Sequence, residues 1–341
     1  MKQVETVEPG SSDDPQQEAA GRQSAPVAFL RRQLQQLLAF AGLIAIVVFF
    51  SLASPNFLTW SNITSGVLLS SAVVGILALG TTFVIITAGI ELSLGTGMTL
   101  AAVMTGVFLT FWGLPLVVGI IGGILTGALI GLINGFNVAI LNIPPFIATL
   151  AMMLIAQGLA LVISGTAPIY FTGVDGFSSI SSGRPLGIPN AVVILFALTL
   201  IGAVLLRKTI LGRYTFAIGS NEEAAGLSGI DVKKWKMIIY TLSGAFMGIA
   251  GVVIAARLNS AQPALGVGYE LQAIAAVVIG GTSLQGGKGS IIGTLIGALI
   301  VGTVTNGLRI MSIPQEWQTV ILGLVILVAV YTDSLRRRKE G

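Results

Sequence analysis

Between Gln33 and Leu206, 174 residues carry only three charged side chains, Glu91, Asp175 and Arg184. A stretch so poor in charge has lipid rather than water as its main solvent, and lipid allows only structures that close their own backbone hydrogen bonds. The rest of the composition agrees: of 341 residues, 54% are hydrophobic and 9% charged, with a mean hydropathy of +0.93.

A membrane helix needs roughly 20 apolar residues. Segments 37–53, 65–88, 98–112, 115–141, 144–164, 189–206, 237–256, 270–280, 289–308 and 316–332 meet or approach that length. The expected fold is therefore all-α, a polytopic membrane helix bundle of about ten transmembrane segments, with 98–112 and 270–280 the short ones. Residues 1–32 open on a stretch rich in Gln, Ser, Glu, Asp and Pro and read as a disordered cytoplasmic tail. Residues 33–335 read as the membrane domain, and 336–341 as a basic cytoplasmic tail. The run 37–53 starts far from the N-terminus and lacks a small-x-small cleavage site, so it reads as a retained span rather than a signal peptide. With both termini in the cytoplasm, fifteen of the eighteen Lys and Arg lie inside, and only Arg184, Arg257 and Arg309 fall outside. That asymmetry is the expected signature of orientation. It also accounts for the basic balance without invoking nucleic acid.

There are no His and no Cys. Disulfides, thiol chemistry, Cys/His metal sites and Ser-His-Asp catalysis are thereby excluded. No catalytic residue, metal ligand or cofactor site is expected on this chain.

Glycine carries the next signal. Gly119, Gly123, Gly127, Gly131 and Gly135 recur at every fourth position of one segment, Gly289, Gly293 and Gly297 repeat the spacing, and Gly244 and Gly248 do so once. Such stripes let helices approach backbone to backbone, which drives packing in lipid. They indicate a tightly packed bundle and say nothing of substrate. The stretch from Gly127 to Gly135 resembles that from Gly297 to Gly307, and each is followed by Ile-Pro (Ile143-Pro144, Ile313-Pro314). These are the fourth and ninth segments, which run in opposite directions, so an inverted repeat is expected.

Two breaks share the pattern Gly-x-x-Leu-x-x-Gly-x-Gly, beginning at Gly89 and Gly281. Glu91, in the first, is an acid close to the bilayer: either a gate or pathway residue or a cap for the helix that follows. The candidate gate or pathway set is Gly89, Glu91, Ser93 and Gly95 with Gly281, Ser283 and Gln285. Gly287-Lys288 in the second break is not a phosphate-binding loop. The position five before Gly287 holds Thr282, the position after Lys288 holds Gly289, and no strand precedes it.

The segment 207–236 reverses the trend with nine charged residues. Within it, 219–230 is a short helix too polar to span, containing Glu-Ala-Ala-x-x-x-Gly at Glu223–Gly229. Acids at the start of such a helix favour its dipole, and a small-residue face can lie in another protein's groove. A solvated connector is the other reading. The longest outer connection, 165–188, offers a second surface, either a receiving site for a ligand-delivering protein or a plain connector.

Four ordered motifs go further: Gly-Ile-Glu-Leu-Ser-Leu-Gly (89–95), Ile-Pro-Pro-Phe-Ile-Ala-Thr-Leu (143–150), the run 212–225 ending in Asn-Glu-Glu-Ala-Ala, and the run 269–289. Together they resemble the permease subunit of ribose-type ABC sugar importers, over roughly residues 37–332. The resemblance implies an ATPase subunit that binds ATP and Mg, a second permease copy, and an extracytoplasmic sugar-binding protein. It also implies that Glu223, Ala224, Ala225 and Gly229, introduced by Asn221 and Glu222, form the helix that docks on the ATPase. At Glu91 the family usually has Asp. The charge is kept on a longer arm, so a close-packed role there is in doubt. The function implied is passage of a monosaccharide across the cytoplasmic membrane. A branched-chain amino acid permease of the same superfamily is the alternative, and a secondary transporter a more distant one.

Overall fold

Among the described residues, seven helices are long and apolar enough to cross a membrane: α2 (Trp60–Ile86), α3 (Leu94–Phe111), α4 (Leu116–Ala139), α5 (Pro145–Ser164), α7 (Asn190–Lys208), α10 (Val232–Leu258) and α12 (Ile291–Ile310). Three shorter apolar stretches, Leu37–Ala53, Tyr269–Ile279 and Gln315–Val328, complete the expected ten. They belong to α1 (Ala25–Ala53), α11 (Tyr269–Ile279) and α13 (Gln315–Arg338). The remaining elements are α6 (Ser179–Ser182), α8 (Ile210–Ser220), α9 (Glu222–Leu227) and the strands β1 (Ile169–Tyr170) and β2 (Ser260–Ala261). This computed structural model describes residues 25–185 and 187–338. The expected tails lie mostly outside the described residues, at 1–24 and 339–341. Residues 25–32, expected in the N-terminal tail, and 336–338, expected in the C-terminal one, are instead helical and extend α1 and α13.

Proline sets several starts. Pro115, Pro144 and Pro189 immediately precede α4, α5 and α7, where a missing N–H costs nothing because the first helical N–H groups have no intrahelical partner. Two expected boundaries move for physical reasons. The third span begins at Leu94, not 98, and is not short. Gly95, Thr96 and Gly97 dilute its hydropathy but still form helix, because the turn is buried by protein. The seventh span begins at Val232, not 237: Asp231 caps it, accepting from Lys234 N at 3.0 Å, so its Lys-rich first turn is helical.

α2 lies at the centre, 89% buried over its apolar window, whereas α4 and α5 are 28% buried and face lipid. The long glycine stripe of α4 meets the short stripe of α10. A Cβ on Gly127 would overlap the Gly244 carbonyl and stand 2.6 Å from Gly248 Cα, and one on Gly244 would stand 2.9 Å from Gly131 Cα. Gly293 and Gly297 of α12 pack in the same way on Gly280 and Ala276 at the end of α11, whereas Gly289 lies before α12 and meets the Ile86 side chain.

Long-range hydrogen bonds fix which connections share an end. β1 pairs with β2 (Ile169 with Ala261, Tyr170 with Ser260), Arg184 donates to Ser65 Oγ at 2.8 Å, and Asn62 and Asn306 exchange amide hydrogen bonds at 3.0 Å. Exposed Trp60, Trp112 and Trp317 ring this end, as interfacial anchors do. At the other end Gly287 N donates to the Ile86 carbonyl at 2.9 Å, bringing the connections 87–93 and 280–290 together with 209–231.

Two segments are interrupted where they enter the bundle. α11 has 11 residues and rises about 16 Å, half of a roughly 30 Å hydrocarbon core. The irregular chain before it dips inward until Gly266 lies backbone to backbone against Gly95. Glu91, in the break before α3, bonds Asn134, five residues short of the α4 terminus and so about 8 Å inside it. Two broken segments thus enter from opposite ends and meet at Gly95 and Gly266.

Candidate coupling and pathway site

The segment 207–236 is not a loop. It is the end of α7, then α8, α9 and the first turn of α10. Asn221 breaks it with an extended backbone (φ −161°) and caps α9 by accepting from Ala224 N at 2.9 Å. The short helix is therefore 222–227 rather than 219–230, with Gly219 in α8 and Gly229 in a left-handed turn (φ +85°) beyond it. Lys236 donates to both oxygens of Glu222 at 2.6–2.7 Å. That exposed pair orients α9 more than it stabilises it. Ala225 alone in α9 is buried; Glu222, Glu223, Ala224 and Gly226 are exposed, and Leu227 is 85% exposed. Leu227 shares a pocket wall with Val138, Ala139, Glu223 and Val232.

Immediately before α9, the last turn of α8 is wedged into both breaks. A Cβ on Gly219 would overlap the Ile86 carbonyl oxygen and stand 2.8 Å from Gly287 N. One on Gly286 (φ +85°) would stand 2.7 Å from the Gly219 carbonyl and 3.0 Å from Ala88 N. Three backbone segments, ending α8, ending α2 and crossing the second break, therefore share one contact. α9 follows directly on this contact, which also holds the end of α2 and the connection into α12.

The first break holds a buried polar cluster. Glu91 is fully buried. Its Oε1 accepts from Ser93 N at 2.9 Å and from Ser93 Oγ at 2.5 Å. Asn134 Nδ2 lies 3.0 Å from Glu91 Oε2, 3.2 Å from Oε1 and 3.0 Å from Ser93 Oγ. Gly89 gives room to the hydroxyl of Tyr240, which would stand 2.7 Å from any Cβ there. Glu91 thus closes the local turn and ties it to α4, which reconciles the longer arm with a close-packed position. In Glu91→Leu the Ser93 N–H and the Asn134 amide would lose a buried acceptor, at about 1–3 kcal/mol each. Glu91→Gln keeps one acceptor. With the Asn134 amide turned over, its Oδ1 accepts from the new amide while Nδ2 takes the place where Oδ1 had no partner, so the number of unpartnered groups is unchanged. Thermal unfolding in detergent, followed by gel filtration, should show Gln close to wild type and Leu strongly destabilised; equal losses would refute this account.

Gly89, Glu91, Ser93 and Gly95 of the candidate set gather here, around the start of α3. Gly281, Ser283 and Gln285 lie on the adjoining connection 280–290, which Gly287 ties to the Ile86 carbonyl. Ser283 Oγ accepts from Gln285 N at 3.2 Å and Ser283 N donates to the Lys288 carbonyl at 3.0 Å, so this polar group closes its own turn.

With this geometry in view, residues 63–330 match the family described as the branched-chain amino acid transport system permease component. The chain belongs to this permease family. It is 43% identical over 326 residues to the ribose import permease RbsC of Escherichia coli strain K12, covering 94% of this chain and 99% of the relative. It is 45% identical over 302 residues to the ribose import permease RbsC of Bacillus subtilis strain 168 (88% and 93%). It is 39% identical over 292 residues to the D-allose transport system permease AlsC of Escherichia coli strain K12 (86% and 89%).

Two residues of this permease were not singled out from the sequence. Glu270 is a second buried acid. It sits at the start of α11, with Gly268 N donating to Oε1 at 3.0 Å and its Oε2 about where a Gly95 side chain would go. The two acids share a position at a helix start: α3 begins just after Glu91, and Glu270 lies in the first turn of α11. Asn134 lay in the repeated Asn-Gly of the glycine stripe, where only its packing neighbours drew notice.

Proposed function

We propose that the chain is the transmembrane subunit of an ATP-driven importer that carries a monosaccharide. The observation that carries this is the exposed, capped α9, continuous with a backbone contact on both membrane breaks. It is the geometry needed to turn an external push into movement of helix ends. In this reading a separate ATPase subunit binds ATP and Mg and docks on α9, with Asn221, Glu222, Glu223, Ala224, Ala225 and Gly229 building the docking helix. A second permease copy lies alongside, and sugar passes between the copies as they rock between inward- and outward-open states. The end bearing α9 and both termini faces the cytoplasm, in line with the charge asymmetry. The opposite end, with the β1–β2 pair, receives an extracytoplasmic sugar-binding protein. Gly89, Glu91, Ser93 and Gly95 act as the gate, and this chain catalyses no reaction. Relatives named for ribose, D-allose, xylose and fructose support a sugar over the amino acid in the family's description.

Uptake of labelled ribose, allose, xylose, fructose and leucine by the native host, with the gene deleted and restored, tests this. Loss of one sugar is expected; loss of leucine uptake alone would reject the reading. At the docking surface, Leu227→Asp places a charge on the exposed apolar contact. It should weaken ATPase binding by about 2 kcal/mol, roughly 30-fold, measured by co-purification across a salt series. Undiminished binding would remove α9 as the docking element.

A further inference from the structure

A second feature of the α9 end lies on the outer surface of the bundle. Leu132 of α4, Ile140 just beyond its end, and Met237, Leu242 and Ala245 of α10 wall a groove of about 760 Å³ on the outside of the bundle. Thr241, also in its wall, spends its hydroxyl on the Met237 carbonyl at 2.8 Å, so the interior is apolar. Lys233, Lys234 and Asp231 line the mouth. Asp231 is engaged as the cap of α10, and Lys236 is committed to Glu222. Among the described residues neither Lys233 nor Lys234 is in an ion pair. The mouth is thus net cationic, reinforced by the positive end of the α10 dipole.

From Lys233 to Ala245 the helix rises about 18 Å, close to the depth of one leaflet of a roughly 30 Å core. A cationic mouth above an apolar channel of leaflet depth is complementary to one class of molecule. We propose that this groove binds an anionic glycerophospholipid, its phosphate against Lys233 and Lys234 and one acyl chain along α4 and α10. Basic residues flanking an interhelical groove are a recognised headgroup site.

Native mass spectrometry of the full chain in detergent, titrated with phosphatidylglycerol or with phosphatidylcholine, tests the proposal. About one phosphatidylglycerol per chain should survive activation that strips phosphatidylcholine. The double variant Lys233→Gln/Lys234→Gln and the groove-filling Ala245→Leu should each reduce it to the phosphatidylcholine level. If Ala245→Leu aggregates on gel filtration, Leu132→Trp fills the groove from the other wall. Equal retention of both lipids by the wild type overturns the proposal. So does loss in the lysine variant with full retention in the groove variants, which would put the headgroup on the surface and leave the groove empty. A changed oligomeric state with unchanged lipid retention would make the groove a contact between copies, and overturns it too.

Discussion

Gly219→Val is expected to lower uptake at least tenfold while the ATPase still co-purifies. The added Cβ would overlap the Ile86 carbonyl oxygen and lie 2.8 Å from Gly287 N. Both are backbone atoms, so no rotamer change relieves the clash. α8 must lift away from the breaks, or the Gly287–Ile86 hydrogen bond of 2.9 Å must open. Overpacking of this kind costs about 1–3 kcal/mol, and loss of one hydrogen bond about another 1 kcal/mol. Each 1.4 kcal/mol taken from a transport step is about a tenfold loss of rate. α9 should survive, because its Asn221 cap and its Glu222–Lys236 tether lie beyond the clash. The expected result is a permease that binds its ATPase and transmits nothing. Gly286→Ala should act on the same contact, since its Cβ would stand 2.7 Å from the Gly219 carbonyl. The pair should therefore be less damaging together than the sum of the single changes. Wild-type uptake by Gly219→Val would show that the three-segment contact carries no motion.

The helical class and the positions of the apolar runs were legible in the sequence because bilayer thickness governs such runs, although three of the ten are shorter than a full span. Boundaries were less legible where a different rule took over. Gly95-Thr-Gly97 is too polar to score as membrane yet is buried by protein, and Lys233-Lys-Trp-Lys236 extends α10 beyond the lipid while remaining helical. α8 was hidden for the same reason: its charge marks a surface, and charge does not distinguish loop from helix. The glycine stripe of α4 announced a close helix contact, but its partner was legible only as the faint pair Gly244 and Gly248. At the site, Glu223 stood out by local spacing and Asn221 through the family resemblance. The bond between Glu91 and Asn134 joins residues 43 apart in sequence, and the contact of Gly219 with Ile86 and Gly287 joins three distant segments. No local pattern encodes such contacts; they follow from how the helices stack.

The other large effect is expected at that stack. Gly127→Leu should prevent stable folding, and Gly127→Ala and Gly244→Ala should each lower the unfolding temperature in detergent. The apolar driving force between helices is weak in lipid, so α4 and α10 are held by close van der Waals contact over their full glycine faces. A Cβ at either position would overlap the backbone of the other helix, Gly127 against Gly244 and the reverse. A single methyl must then separate the helices along the whole stripe, at a cost of about 1–3 kcal/mol, and a leucine exceeds what a marginally stable bundle tolerates. Once one methyl has moved the helices apart, the second meets less resistance, so Gly127→Ala/Gly244→Ala should destabilise by less than the sum. Additive losses would mean that the two glycines act at separate contacts. Unchanged unfolding of both single variants would mean that α4 is held by its lipid-facing side chains rather than by the stripe. Because Asn134 lies on the same helix and holds Glu91, separating α4 from α10 should also loosen the first break. Transport should therefore fall at temperatures where the variants are still folded.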